Sequence, residues 1–265
     1  MQLRQRVLSA IVMLPPVLVT AWLGGWWFAG LVALLAGLAA WELTALLAKT
    51  DHSPLPHLAV PLAVLLVLEG QLPPDPRRLQ IFLVVAILIG LTIMLFRPTP
   101  RPGNDWLLTL GAGLYLGMSL RFLPLLRGLE AGLGWLAVTA LTTWVADSGA
   151  YFIGSRFGAH KLWPRISPKK SWEGLFGGLA VGLVAALLLG PWLIPGLLWW
   201  QGLLIGLVVG VSGLFGDLSE SVFKRQVGEK DSSHLIPGHG GFFDRIDSFL
   251  FVGPCLYLLA LALGW

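Results

Sequence analysis

Long uncharged runs of Leu, Ala, Gly and Trp, broken by short polar segments, constrain this chain more than any other feature. A run of roughly 18 or more apolar residues is what a helix needs to cross the hydrocarbon layer, where the backbone must satisfy its own hydrogen bonds. Reading the runs between breaks predicts nine spans, over residues 7–24, 26–47, 56–69, 79–96, 105–127, 131–154, 172–194, 198–218 and 246–264. The third is the shortest, and losing it would put both chain ends on one side of the membrane. Of 265 residues, 56% are hydrophobic and only 12% charged, which excludes an ordinary soluble domain. The expected fold class is an all-α polytopic membrane protein. The opening Met-Gln-Leu-Arg-Gln-Arg has the charge of a signal peptide, but no small-x-small cleavage pattern precedes Trp22, so it is read as a retained first helix. The single cysteine, Cys255, rules out an intramolecular disulfide or a cysteine-built zinc site.

Basic loops stay on the cytoplasmic side, so Lys and Arg positions test the span count. With nine spans, Arg4, Arg6, Lys49, Arg97, Arg101, Arg156, Lys161, Arg165, Lys169, Lys170, Lys224, Arg225, Lys230 and Arg245 fall together, 14 of the 18 basic residues. Arg77, Arg78, Arg121 and Arg127 fall opposite. This segregation predicts a cytoplasmic N-terminus, an outward C-terminus and an inner-membrane location. Trp22, Trp26, Trp27, Trp192, Trp199, Trp200 and Trp265 lie near the outer helix ends, as an interfacial aromatic belt would. Glycines four apart, at 174, 178 and 182, at 206 and 210, and at 113 and 117, mark faces for close helix contact, within the chain or in a homodimer. The expected organisation is an N-terminal set of transmembrane helices over 1–100 and a second transmembrane region over 101–265, the candidate for any chemistry because the polar residues concentrate in its cytoplasmic loops at 154–172 and 219–245.

Polar residues gather in these two loops and the helices beside them. Asp147 sits inside a predicted span, where a carboxylate is costly and marks a functional site or a structural ion pair. Ser167, Lys169, Lys170 and Ser171 stand just before a helix start, whose free amides and positive dipole end suit a phosphate. Past the eighth apolar run, Asp217, Glu220, Ser221 and Lys224 would share one helix face at i, i+3, i+4 and i+7. The stretch Pro237-Gly238-His239-Gly240-Gly241 then forms a shaped turn, followed by Asp244, Arg245 and Asp247 at the start of the last helix. Hard cations such as magnesium take oxygen ligands, commonly one or two carboxylates together with substrate phosphates. His239 without cysteine partners earns no metal role and is assigned to orienting a carboxylate or phosphate.

From Ser221 to Asp247 the sequence resembles the signature of the phosphatidate cytidylyltransferases, or CDP-diacylglycerol synthases. The matching residues are Ser221-x-Phe223-Lys224-Arg225, Lys230-Asp231, Pro237-x-His239-Gly240-Gly241 and Asp244-Arg245-x-Asp247. Asp147-Ser148-Gly149-Ala150-Tyr151 and Ser167 to Gly174 resemble the family's other recurrent stretches. So many fixed residues over 27 positions are far more specific than a lone glycine-rich loop. The resemblance implies attack of phosphatidic acid on the α-phosphate of CTP, release of pyrophosphate, and need of Mg2+, with a monovalent cation such as K+ as helper. It places Asp217 and Asp244 among the metal-binding carboxylates.

On this basis Asp217, Asp244, Lys224 and Asp247 are the expected catalytic residues, with Asp217, Asp244 and Asp147 on the metal. Lys169, Lys170, Ser171, Ser221, Arg225, Lys230, Asp231, His239, Gly240, Gly241 and Arg245 are the expected substrate contacts. CTP and bilayer phosphatidic acid are the expected partners, and no nucleic acid is. Two rival readings share parts of this chemistry: a CTP-dependent lipid kinase, which would release CDP, and an ion-coupled transporter lined by Asp147 and Asp217. Transporters commonly show internal repeats with paired broken helices, and no repeat is visible here.

Overall fold

The computed structural model describes residues 2–236, 238 and 240–265, with side chains from residue 11 onward. Pro237 and His239 lie outside the described residues. The chain divides into two compact units, Met1–Pro124 with Phe223–Ile246, and Leu125–Val222 with Asp247–Trp265.

The first unit holds α1 (Gln2–Leu23), α2 (Gly25–Leu47), α3 (Pro56–Glu69), α4 (Pro76–Leu95) and α5 (Pro102–Leu120). It also holds the start of α6 (Phe122–Arg127), the last turn of α9 (Trp199–Gln226) and the short α10 (Phe243–Ile246). Proline opens α3, α4 and α5, where its fixed φ suits a helix start and its missing N–H costs nothing. The Asp75 carboxylate caps α4 by accepting from the Arg77 amide at 3.0 Å. Small residues let α3 and α5 approach: a Cβ at Gly117 would lie 2.8 Å from Ala63 Cα. Leu62, Leu66, Ala86 and Leu110 form a core there, with Phe82 and Trp106 against it. Glu69 at the end of α3 is held between Arg78 Nη2 at 3.0 Å and Arg121 Nη2 at 2.8 Å.

The second unit contains α7 (Gly132–Phe157), β1 (Lys161–Trp163), β2 (Ser167–Ser171), α8 (Trp172–Leu193), α9 as far as Val222, and α11 (Phe249–Ala262). The glycine stripe of α8 packs on α7, with a Gly178 Cβ falling 2.7 Å from Ala150 Cβ and 2.8 Å from the Ala146 carbonyl. The α9 stripe packs on α8, where a Gly206 Cβ would come 2.6 Å from Leu183 Cα. Trp135, Val138, Ala186, Ile205, Val209, Val252 and Leu256 fill the core.

Helices match several predicted spans closely, with α2, α3 and α8 agreeing to within a residue at each end. Six of the described helices are long and apolar enough to cross a membrane: Gly25–Leu47, Pro76–Leu95, Pro102–Arg127, Trp172–Leu193, Trp199–Gln226 and Phe243–Ala262. This is a polytopic membrane protein. The 26 residues of α7 have the length, but Thr139, Thr142, Thr143, Asp147 and Ser148 lie along it. Two segments expected as loops carry regular structure. Within 154–172, α7 runs on to Phe157 and an antiparallel hairpin pairs Lys161 with Ser171 and Trp163 with Ser167. Strands this short leave no readable period in the sequence. Within 219–245, α9 continues to Gln226, so its polar face is helical as its spacing requires. Six of the seven belt tryptophans are exposed, whereas Trp265 packs edge-on against buried Trp135, their centroids 5.9 Å apart.

Replacing Gly178 with Val should force α7 and α8 apart and cost about 1–3 kcal/mol of stability. Gly30→Ala, with nothing within 4 Å of the new methyl, should be neutral. Thermal unfolding of the two purified variants in detergent checks this, and equal melting temperatures would contradict the packing.

Candidate active site

In the second unit, three carboxylates converge. Ligand oxygens of Asp217, Glu220 and Asp247 all lie within 4.8 Å of one another. Asp217 and Glu220 project from α9 one turn apart, and a close crossing brings Asp247 to them. At Gly216 an added Cβ would collide with the Asp247 carbonyl and lie 2.8 Å from Ser248 Cα, so only glycine lets the backbones meet there. The Ser221 hydroxyl donates to Asp217 Oδ1 at 3.3 Å, and the Asp247 carboxylate accepts from the Ser248 amide at 2.7 Å. Three clustered carboxylates form a hard-oxygen donor set of the kind that magnesium prefers, and their mutual repulsion favours a bound cation.

A lysine already leans into this cluster. Lys170 Nζ, on β2, lies 2.7 Å from Asp217 Oδ2. Asp147, exposed on α7, is within electrostatic reach of both Asp217 and Lys170. The hairpin that presents Lys170 is anchored at its base. His160 Nδ1 meets Glu173 Oε1 at 2.6 Å, and the Trp172 amide donates to the His160 carbonyl at 3.0 Å. Ser171, expected at the substrate, is buried and serves as the N-cap of α8, accepting from the Gly174 amide at 3.1 Å. Lys169 points to solvent.

In the first unit, the segment after α9 folds around Asp244. Lys224 Nζ lies 2.8 Å from Asp244 Oδ1, and the two side chains are only 11% and 7% exposed, so this is a buried pair. Asp244 Oδ2 accepts from the Ser232 amide at 2.9 Å, the Ser232 hydroxyl at 2.7 Å and the Gly241 amide at 2.7 Å. A buried carboxylate needs such a set of donors to offset its lost hydration. Gly240 has φ +77°, and a Cβ there would stand 2.7 Å from Asp244 Oδ2. The turn therefore requires glycine for both its backbone and its fit against the carboxylate.

Other expected contacts in this segment are solvent-facing. Lys230, Asp231 and Arg245 are exposed, and Arg225 donates from Nη1 to the Glu229 carbonyl at 2.8 Å. His239, expected to orient a carboxylate or phosphate, lies outside the described residues. Lys49 at the end of α2 donates to Glu229 at 2.7 Å, and this hydrogen bond, with the lysine charge, holds the Glu229 carboxyl below its ordinary range. Both side chains are about half exposed, so the pair contributes little to stability.

Two carboxylates stand out that no site expectation included. Glu220 was legible as part of the polar face of α9 but carried no assigned role. Glu42, on α2, is 1% exposed and accepts from the loop that carries Asp244. The available signal was a solitary acid inside an apolar run, Trp41-Glu42-Leu43.

Comparison with known proteins gives a consistent answer. The profile of the cytidylyltransferase family matches residues 4–263. A phosphatidate cytidylyltransferase of Pseudomonas aeruginosa is 39% identical over 99% of this chain and 98% of its own length. One from Bacillus subtilis is 40% identical over 69% of this chain and 68% of its own. One from Staphylococcus saprophyticus is 42% identical over 55% of each. With the family profile matching almost from end to end, the chain belongs to the cytidylyltransferase family.

Proposed function

We propose that this enzyme transfers the cytidylyl group of CTP to phosphatidic acid, giving CDP-diacylglycerol and pyrophosphate, in an inner membrane with its polar site toward the cytoplasm. The observation that carries the reading is the convergence of Asp217, Glu220 and Asp247 beside Lys170. The phosphatidate cytidylyltransferase of Pseudomonas aeruginosa, alignable over nearly the whole chain, supports the choice of substrates.

The reaction joins two anions. An ionised phosphate oxygen of phosphatidate forms a bond to the α-phosphorus of CTP, the bond from that phosphorus to the bridging oxygen breaks, and its electron pair leaves with pyrophosphate. The attacking oxygen is already ionised at neutral pH, so no general base is required. Direct in-line displacement needs charge neutralisation and alignment above all. When bound, a divalent cation would supply charge neutralisation at the phosphates. Asp217, with Glu220 and Asp247 around it, would hold that ion, supported by Asp147. Asp244 is assigned as a further metal-binding carboxylate on the family resemblance, and Lys224, Ser232 and Gly241 set the orientation of its oxygens. Lys170, Lys224, Lys230 and Arg245 would neutralise phosphate charge. Lys170, 2.7 Å from Asp217 Oδ2, would stand beside the bound ion with its ammonium within reach of a phosphate. The lipid would enter from the bilayer and CTP from the cytoplasm, in a chain of nine spans with an outward C-terminus.

Asp217→Asn and Asp247→Asn should each weaken Mn2+ binding by about tenfold or more, read by electron paramagnetic resonance of the free ion, while Asp51→Asn should not. Unchanged binding in both would remove the cluster from the metal role. With CTP labelled at the α-phosphate, the purified enzyme should move label into lipid and release pyrophosphate, and Asp217→Asn should not. Label recovered in CDP with a phosphorylated lipid alcohol would instead indicate a kinase. For topology, in a Cys255→Ser background, Gln71→Cys should react with an impermeant maleimide in intact cells and Ala159→Cys only in inverted vesicles. The opposite pattern would overturn the orientation.

A further inference from the structure

Glu42 lies in the buried face of α2, 1% exposed, in a helix long and apolar enough to cross the membrane. Removing a carboxylate from water is costly unless donors replace the hydration, and here the donors all come from one segment about 190 to 200 residues later. The Ser233 hydroxyl donates to Oε1 at 2.6 Å, the Phe242 amide to Oε1 at 3.0 Å and the Phe243 amide to Oε2 at 2.7 Å. The Ser232 hydroxyl reaches Oε2 only at 3.4 Å, because its shorter contact, 2.7 Å, goes to Asp244 Oδ2.

This arrangement spans the loop. Ser233 sits on its first half, and Phe242 and Phe243 on its second, where the backbone enters α10 and carries Asp244. Ser232 lies between the two carboxylates. A Cβ at Gly241 would strike Ser232 Oγ and fall 2.6 Å from both Glu42 oxygens, so the close approach of Ser232 and Glu42 together leaves room only for glycine. The amides of Phe242 and Phe243 have no carbonyl four residues earlier in a helix to accept them, and Glu42 takes that place from outside the segment. Around it, Phe243 is fully buried and packs edge-on against Tyr115, with centroids 6.5 Å apart. Stability alone would be served as well by an apolar residue at 42 and ordinary turn hydrogen bonds. A carboxylate that reads three donors at once instead fixes where the loop backbone stands, and with it the direction of the Asp244 oxygens.

We propose that Glu42 is a positioning residue of the cytidylyl transfer reaction, holding Ser232, Ser233 and the Gly241–Asp244 backbone in their working geometry from helix α2. The inference rests on the function proposed above. Displacing a site group by about 1 Å costs on the order of 100-fold in rate.

The test compares wild type with Glu42→Gln and Ser233→Ala, purified in detergent, by steady-state kinetics with CTP and phosphatidic acid, by melting temperature, and by hydrogen exchange of the Phe242–Phe243 peptide. Gln keeps one acceptor but turns an NH2 toward the loop donors. Glu42→Gln should lose about 100-fold in kcat/KM, with the KM for CTP raised, faster exchange confined to the loop peptide, and a folded protein. A purely structural role would lower the active fraction and leave the KM of what remains unchanged, and that result would overturn the proposal. Wild-type kcat/KM in Glu42→Gln, or loop exchange unchanged, would overturn it too. If Glu42→Gln does not fold, Ser233→Ala decides, since it removes one donor from the half-buried rim: a raised KM for CTP with faster loop exchange supports the proposal, and neither change overturns it. Absence of turnover in wild type would defeat the functional reading itself, while loop exchange in Glu42→Gln would still decide whether Glu42 holds the loop.

Discussion

An apolar chain cannot leave a carboxylate unmatched, and the placement of its few acids organises much of this molecule. Bringing an ion out of water costs several kcal/mol even after relaxation, so every buried acid has to collect donors. Glu69 collects two arginines, Asp105 the amide of Ser53 at 2.7 Å, Asp244 a lysine with a serine and two amides, and Glu42 a serine with two amides. In each case the donors come from a loop or another helix. Asp105, Asp244 and Glu42 therefore act as fasteners for irregular backbone, whose polar groups have to be satisfied at such a boundary, while Glu69 joins helices through side chains alone.

Glycine supplies the complementary condition. Fastening works only if backbones come close, and the glycines at 216, 240 and 241 stand where a side chain would strike the Asp247 backbone, Asp244 or Glu42. The stripes on α5, α8 and α9 use the same property for helix packing. Where α9 turns from apolar to polar, its small residues give way to Asp217, Glu220 and Ser221, and packing gives way to chemistry within one helix.

The helices were legible because hydrophobicity is a local, long-window property. Residues 56–69 and α3 coincide, and the predicted span 172–194 differs from α8 by a single residue. The hairpin at Lys161–Ser171 was not legible, because three and five residues in a basic loop carry no period and their pairing depends on Glu173 and His160 closing the base. Of the residues expected at the site, Asp217, Asp244, Asp247, Lys170 and Lys224 were chosen from clustering and family pattern, and the structure brings Asp217 to Asp247 and Lys224 to Asp244. Ser171 was read as a phosphate contact, and its hydroxyl is engaged in capping α8, a role its place before a helix start equally allows. Glu42 showed locally only as a lone acid in an apolar run, and its role was not readable there because its partners lie near the other end of the chain.

The pairing of lysines with acids follows from the same need for balance. Lys170 on Asp217 and Lys224 on Asp244 are each neutralised by a carboxylate that a metal ion could also claim. A site built to receive the phosphates of CTP and of an anionic lipid must carry positive charge, yet unbalanced charge beside a membrane would be costly while it waits. Storing each lysine against an acid lowers that cost. In the reaction proposed above, Asp217 and Asp244 would hold the cation and Lys170 and Lys224 would turn to phosphates, which would keep the count of opposite-charge contacts. In such an exchange the frame must not move while its partners change. The donors that Glu42 gathers from Ser233, Phe242 and Phe243 are separate from the Asp244–Lys224 pair, which leaves the backbone of that loop held while the pair is free to open.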